Sequence, residues 1–203
     1  VTDTITTQDG TSYEVSIVDA AIPTVFIKAE ALGLEGIETP AQIEGSAPLM
    51  ARIEEIRGRC ADKIGLTDNW KLSTQKCPYA PFFAVVSPSK AYHTFDGKDV
   101  AAEEIDLVSR LLFMQKMHKT HPVTGTVCMS TAARVPGSIV EQVLSRRGRE
   151  NRKIIIGHPA GVIPVVSELE TENGTYNLKT AAILRTARTI MDGQVYVRKS
   201  RIQ

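Results

Sequence analysis

Residues 120–134 read T-H-P-V-T-G-T-V-C-M-S-T-A-A-R, and residues 157–161 read G-H-P-A-G. From Gly125 onward the first stretch carries small side chains, Cys128, Ser130, Thr131, Ala132 and Ala133 among them, and it stops at Arg134 before Pro136-Gly137. A helix built this way is thin enough to be packed on all sides. Its opening residues, Thr124-Gly125-Thr126, leave backbone N–H groups without helical acceptors at the positive end of the helix dipole. Small anions bind well in such a place. The stretch therefore predicts a buried helix with an anion site at its mouth.

Downstream, Ser138-Ile139-Val140-Glu141 is a capping box that starts another short helix. The basic run from Arg146 to Lys153 reads as a solvated connector. Lys153–Ile156, Val162–Leu169, Tyr176–Leu184 and Gly193–Val197 read as strands, and Asn173-Gly174 is a hairpin signal between two of them. Upstream, Phe82–Val86 is an apolar run of strand type flanked by Pro81 and Pro88, and Leu107–Met114 fits strand or helix, the strand being favoured because the short apolar run around Ser109 and Arg110 lacks caps. Ser46 with Pro48 just inside, then Leu49, Met50, Ile53, Ile56, Cys60 and Ile64 at helical spacing, predicts an amphipathic helix that ends at Gly65. Gly33 and Gly36 mark a loop before it. Ser12–Val18 and Thr24–Ile27 read as strands, with turns at Asp9-Gly10 and Asp19. The expected fold class is α+β, an antiparallel sheet curled as a barrel around one central small-residue helix.

The chain has 203 residues, enough to bury a sizeable core. Its net charge of +1, without a basic stripe, argues against nucleic acid and membrane surfaces as partners. Three cysteines with no C-x-x-C pair argue against a disulfide framework. The sequence shows no transmembrane run or signal peptide, so a cytoplasmic location is expected. The chain opens on Val1 and a polar stretch, which reads as a processed form or a fragment.

Several motifs, in order, resemble one family. They are V-S-I-V-D-A-A at 15–21, R-I-E-E-I-R at 52–57, Ile105-Asp106-Leu107, T-G-T-V-C-M-S-T-A-A-R-V-P-G at 124–137, I-G-H-P-A-G-V-I at 156–163, and R-T-A-R-T-I-M-D-G-Q-V-Y-V at 185–197. Together they are similar to the methylaconitate isomerase (PrpF) family, which includes 3-methylitaconate isomerases and oxalomesaconate tautomerases and has a diaminopimelate-epimerase-like fold. The resemblance implies two pseudo-symmetric halves, each a barrel around a helix, with the active site in the cleft between them. Residues 1–203 resemble the second, C-terminal half, so the first half would be a missing partner. Two departures stand out. Pro122-Val123-Thr124-Gly125 occupies the place where diaminopimelate epimerase carries its acid/base thiol, and Ile22-Pro23 replaces the usual Asn-Pro.

The implied reaction is a cofactor-independent allylic 1,3-proton shift in a small unsaturated di- or tricarboxylate such as 2-methylaconitate. The acid/base lysine and cysteine are expected in the first half, so no catalytic residue is assigned here. The second half would bind substrate carboxylates through N–H donors and a helix dipole. Thr124, Gly125 and Thr126 are the candidates for one carboxylate, and His158, Ala160 and Gly161 for another. The plain alternative is that these glycines only permit tight turns. Arg134 either reaches a carboxylate or ends its helix. Cys128 reads as a small buried hydrophobe, and His118-x-x-His121 with Cys128 fits no common zinc spacing, so no metal is expected; the reaction that the resemblance implies, a proton shift beside a carboxylate, proceeds without an organic cofactor. Arg185 and Arg188 read as strand-edge ion pairs. The competing reading is a non-enzymatic anion-binding or interaction domain that kept the fold. A homodimer is the alternative assembly, since losing a partner half would expose apolar surface.

Overall fold

A computed structural model describes residues 1–172, 174–184 and 187–199. The chain opens with the meander β1 (Asp3–Thr6), β2 (Ser12–Asp19) and β3 (Pro23–Lys28). At its first turn Asp9 accepts hydrogen bonds from the Thr7 hydroxyl (2.7 Å) and the Thr11 amide (3.0 Å), the local chemistry that makes Asp-Gly a turn signal. A long crossover follows, carrying α1 (Pro40–Glu44), α2 (Ala47–Lys63) and α3 (Ser73–Lys76), and it delivers β4 (Phe82–Pro88) parallel to β3. A small hairpin, β5 (Tyr92–His93) and β6 (Asp99–Val100), precedes β7 (Leu107–Phe113), which runs antiparallel to β4 and is extended by β8 (Lys116–Met117). Then come α4 (Val123–Ala132), α5 (Ile139–Val143) and α6 (Arg146–Glu150). The strands β9 (Lys153–His158), β10 (Gly161–Glu172) and β11 (Thr175–Ile183) complete a sheet ordered β1-β2-β3-β4-β7-β9-β10-β11, with β8 on β7.

This sheet corrects the expected antiparallel barrel. It is open, with β1 and β11 at opposite ends of the strand path, and two of its pairs, β3/β4 and β7/β9, are parallel. Parallel neighbours need helical crossovers, and those crossovers place helices on both faces of the central strands. That explains why every residue of β4 except Pro88 is buried. Phe26, Phe82, Ala84, Leu107, Leu111, Ile154 and Ile156 pack with Cys128, Met129 and Ala132 of α4 and with Ile139 and Val140 of α5. On the other face, Val25, Ile27, Phe83, Val85 and Leu112 pack with Ile53, Ile56 and Cys60 of α2.

The α2 helix matches its sequence pattern, with Pro48 in the first turn, although the Ser46 side chain makes no capping bond. Seven of the ten residues of α4 are buried, and the helix begins and ends two residues earlier than its small-residue run suggested. A Cβ at Gly125 would lie 2.7 Å from Leu111 Cδ1, so a larger residue there forces the buried Leu111 side chain to shift. Cys128 is fully buried, its thiol lies 3.2 Å from the Val18 carbonyl, and burial pushes its pKa up to about 11. It is packing, as expected.

Ser138 links α4 to α5. Its hydroxyl donates to the Ala132 carbonyl at 2.6 Å and accepts the Glu141 amide at 3.1 Å. Ser138→Ala removes the cap, leaves the half-buried Glu141 amide without its acceptor, and leaves the Ala132 carbonyl with the Val135 amide alone. Urea melts should show a loss of about 1–2 kcal/mol. An unchanged midpoint would mean that the two helices do not depend on this link.

Other expectations need correction. The basic run from Arg146 to Lys153 is exposed except at Gly148, as a solvated connector should be, but Arg146–Glu150 within it forms an unforeseen short helix whose Ser145 cap accepts the Gly148 amide. Gly193–Val197 is not a strand; among the described residues no strand pairs with it, and Val195 and Tyr196 are about nine-tenths exposed. Arg188 is exposed and outside any strand. Asn173 of the hairpin signal, and Arg185, lie outside the described residues.

Candidate functional site

The first turn of α4 starts from Pro122, which has extended backbone (φ −64°, ψ 144°) and supplies no side-chain cap. The amides of Val123, Thr124 and Gly125 precede the first i→i−4 bond, which runs from the Thr126 N–H to the Pro122 carbonyl at 2.8 Å. Val123 and Thr124 are exposed, whereas Gly125 and Thr126 are buried. The mouth is therefore open at 123–124 and sealed at 125–126. The Thr126 hydroxyl is already engaged, 2.9 Å from the Pro122 carbonyl and 2.8 Å from His121 Nδ1. His121, 5% exposed, lies 3.2 Å through Nε2 from the Ser109 hydroxyl.

The second candidate element is the two-residue connection between β9 and β10, in which His158 pairs with Gly161 across Pro159-Ala160. The Tyr92 hydroxyl lies 2.9 Å from the His158 carbonyl and 2.5 Å from the Gly161 carbonyl, and the Phe95 amide donates to the Pro159 carbonyl at 2.9 Å. His158 Nδ1 accepts the Ala160 amide at 3.2 Å. Gly161 adopts φ +139°, a backbone angle that side chains disfavour. The bend is thus held from below and has a defined shape.

Strand register brings the two elements together. In the parallel β7/β9 pair, Leu107 faces Ile156 and Val108 faces Gly157, so Ser109 and His158 come next on their strands. Leu107, Leu111, Ile154 and Ile156 all pack toward α4, and alternation puts Ser109 and His158 on the same face. The chain Ser109–His121–Thr126 therefore ties the first turn of α4 to the level of the bend. Both histidines are neutral at pH 7. Burial first, then the nearby His158 and His118, lowers His121 to about 3; burial and Arg110 lower His158 to about 4.

Arg134 is not brought to the mouth. It follows the C-terminal end of α4, about 15 Å from the first turn at 1.5 Å per residue. Its guanidinium is spent on the Gly148, Asn151 and Arg152 carbonyls (2.8, 2.6 and 2.9 Å) and on the Ser167 hydroxyl (3.3 Å). Of its two sequence readings, the structural one describes it. Ile22 is half-buried against the α4 core.

Sequence reasoning gave Arg110, Ser109 and Tyr92 no role at the site and weighed His121 only as a metal ligand. Arg110 is 1% exposed, donates to the Glu38 and Ser109 carbonyls (2.6 and 3.0 Å) and lies over the Tyr92 ring at 5.0 Å. Burial lowers its pKa to about 10, so it stays cationic at pH 7 and contributes positive potential beneath the bend. A polar pair inside the apolar run 107–114 was the available signal. A cavity of about 810 Å³ opens beside Tyr92, but Glu35, Glu38 and Asp99 line it, a charge unsuited to a carboxylate. Among the described residues no cluster of histidine, cysteine and acidic side chains could hold a metal, and no helix is long and apolar enough to cross a membrane.

A family model described as PrpF protein matches residues 1–198. The chain is similar to the 3-methylitaconate isomerase of Eubacterium barkeri, with 45% identity over 203 residues, all of this chain and 52% of that protein. It is also similar to the 2-methyl-aconitate isomerase of Shewanella oneidensis, with 36% identity over 92% of this chain and 46% of that protein. The crystal structure of a methylitaconate-delta-isomerase superposes with a TM-score of 0.86 at 45% identity, covering 98% of this chain and 50% of that one. The chain spans about half the length of the curated relatives it matches.

Proposed function

The chain belongs to the PrpF family, and from that premise we propose that residues 1–203 form the second half of an isomerase that shifts a double bond in a small unsaturated di- or tricarboxylate. The reaction is an allylic 1,3-proton shift without a cofactor. A base removes a carbon-bound proton, charge spreads over an extended dienolate into a carboxylate, and an acid returns a proton two carbons away. N–H donors and a helix dipole stabilise that charge. The supporting observation is the uncapped, exposed first turn of α4, joined through Ser109 and His121 to the level of the 158–161 bend. One carboxylate is held by the free amides of Val123 and Thr124 and the Thr124 hydroxyl, with Gly125 and Thr126 closing the turn behind them. A second lies against His158, Ala160 and Gly161.

The residues present favour binding over proton transfer. The Cys128 thiol sits at about 11 and is buried, while His121 and His158 are too weakly basic to abstract a carbon-bound proton. The acid/base pair is supplied by the other half of the protein, and the whole enzyme works in the cytoplasm.

Thr124→Asp tests the clamp. It places a fixed carboxylate at the exposed first turn, where the helix dipole tolerates or favours it, so thermal stability holds or rises slightly. The same charge competes with a ligand carboxylate, and citrate affinity in a calorimetric titration of the intact protein should fall at least about tenfold, or 1.4 kcal/mol. Citrate binding equal to that of the unaltered protein would remove the mouth of α4 from the site. With both halves of the protein present in deuterium oxide, methylaconitate, methylitaconate, aconitate and oxalomesaconate separate the chemistry, because only true substrates exchange their allylic protons. Binding without exchange of any of the four would favour an anion-binding domain instead.

A further inference from the structure

We propose that His121, as its neutral Nδ1–H tautomer, is the positioning residue that pins the first turn of α4 to β7 and aims the free amides of Val123 and Thr124.

The tautomer follows from counting hydrogens. The Thr126 hydroxyl has one hydrogen, and the Pro122 carbonyl 2.9 Å away can only accept it. The lone pair left on that oxygen faces His121 Nδ1 at 2.8 Å, so Nδ1 carries the hydrogen. Nε2 is then bare, and it accepts the Ser109 hydroxyl at 3.2 Å. The chain runs in one direction, from Ser109 through His121 and Thr126 to the Pro122 carbonyl. That carbonyl also takes the Thr126 amide at 2.8 Å, so the side-chain and backbone bonds converge on the atom that defines the start of α4.

The arrangement differs from ordinary helix capping in one respect. A Ser, Thr or Asp cap orders a helix start by bonding the second or third amide, and so occupies donors a ligand could use. Pro122 offers no such side chain. His121 orders the turn from the residue before it, through the Thr126 side chain, and leaves the leading amides of Val123 and Thr124 uncommitted. Burial and the neighbouring His118 and His158 keep the ring uncharged, so the hydrogen on Nδ1 stays in place at neutral pH. The aiming of the amides at a ligand rests on the clamp reading; the tautomer and the anchoring do not.

Long-range 1H–15N correlation spectra of the intact protein read the tautomer directly, with a pyrrole-type Nδ1 and a pyridine-type Nε2 expected from pH 8 to pH 6. The opposite assignment overturns the proposal. His121→Asn retains a donor where Nδ1 stood, whereas His121→Leu removes both bonds. Expected are a citrate affinity and a Thr126 amide exchange rate within about threefold of the unaltered protein for Asn, and changes of about tenfold or more in both for Leu. Unchanged exchange in a folded His121→Leu overturns the anchoring, and weakened citrate binding without faster exchange would make His121 a ligand contact instead. Should His121→Leu not fold, the Asn variant decides, because faster Thr126 exchange there contradicts the proposal. Should citrate not bind the unaltered protein, the clamp reading falls, and the tautomer and exchange rates still decide the anchoring.

Discussion

Between pH 7 and pH 5 the protein is expected to lose about 4 kcal/mol of folding stability, well before its carboxylates titrate. The cause is a pair of buried neutral histidines. His121 and His158 are held at about 3 and about 4 in the folded protein, chiefly by burial, and then by His158 and His118 acting on the first and by Arg110 acting on the second. In the unfolded chain both return to about 6.5. Their folded pKa values are depressed, so below about 6.5 the unfolded chain binds protons that the native state refuses. The stabilisation is complete above the unfolded value and drains away as pH falls toward the folded ones. Two such groups give a slope that approaches 2.7 kcal/mol per pH unit near pH 5, about 1.36 for each proton. Urea melts at half-unit intervals measure this slope, and His121→Asn should halve it. A flat stability curve between pH 7 and pH 5 would mean that one or both rings are hydrated or already charged. Glu54 adds its effect only lower down: burial raises it, but the bonds from Arg57 and Thr74 prevail and hold it below its usual value.

The same neutrality bears on the site. Neither histidine carries charge at pH 7, so attraction for a carboxylate must come from the α4 dipole and from Arg110 beneath the bend. A bound tricarboxylate would favour protonation of His158, and citrate affinity would rise as pH falls toward 5 even while the apo protein weakens.

Local pattern made some of this legible. The recurrence of apolar residues from Leu49 to Cys60 can satisfy only a helix lying on one face of a sheet, and α2 lies there. The small residues after Gly125 allow only a closely packed helix, and α4 is buried accordingly. The strand directions were not legible. Whether β4 runs parallel to β3 is decided by what residues 29–81 do in space, and no residue of either strand records it. Arg134 misled because a cation at the end of a small-residue helix looks equally suited to a ligand or to backbone carbonyls, and only packing chooses between them. Ser109 and Arg110 were visible as polar interruptions of an apolar run, but their opposite faces, one toward α4 and one toward Tyr92, need the sheet before they acquire roles. The segment around Val195 keeps the alternation of a strand, and alternation without a neighbour to bond makes no strand.

Asp106→Ala is expected to cost about 4 kcal/mol, the largest effect of any single substitution considered, at a residue that touches neither the mouth nor the bend. Asp106 is 1% exposed and sits where three elements meet. One carboxylate oxygen accepts the Ser145 hydroxyl at 2.6 Å and Arg147 Nε at 2.9 Å, and the other accepts the Ile155 amide at 2.8 Å. Its backbone reinforces both links, donating to the Ile155 carbonyl at 2.7 Å and accepting the Ser145 amide at 2.9 Å. Asp106 therefore fixes the start of α6 and the middle of β9 to the entrance of β7. The Arg147 ion pair is the lesser part, because that side chain is 47% exposed and water screens it. Arg147→Ala should accordingly cost less than about 1 kcal/mol. Asp106→Asn is the sharper comparison. Whichever way its amide turns, the NH2 group confronts an N–H that can only donate, either the Ile155 amide or Arg147 Nε, so a loss of about 2 kcal/mol is expected. Urea melts of the three variants should rank Ala above Asn above Arg147→Ala. If Arg147→Ala proved as damaging as Asp106→Ala, the exposed ion pair would carry the stability and the captured amide would not. The functional consequence follows from chain order. Ile155 lies three residues before His158, so loosening its amide lets β9 shift against β7, and citrate affinity in Asp106→Asn should fall even where most of the protein remains folded.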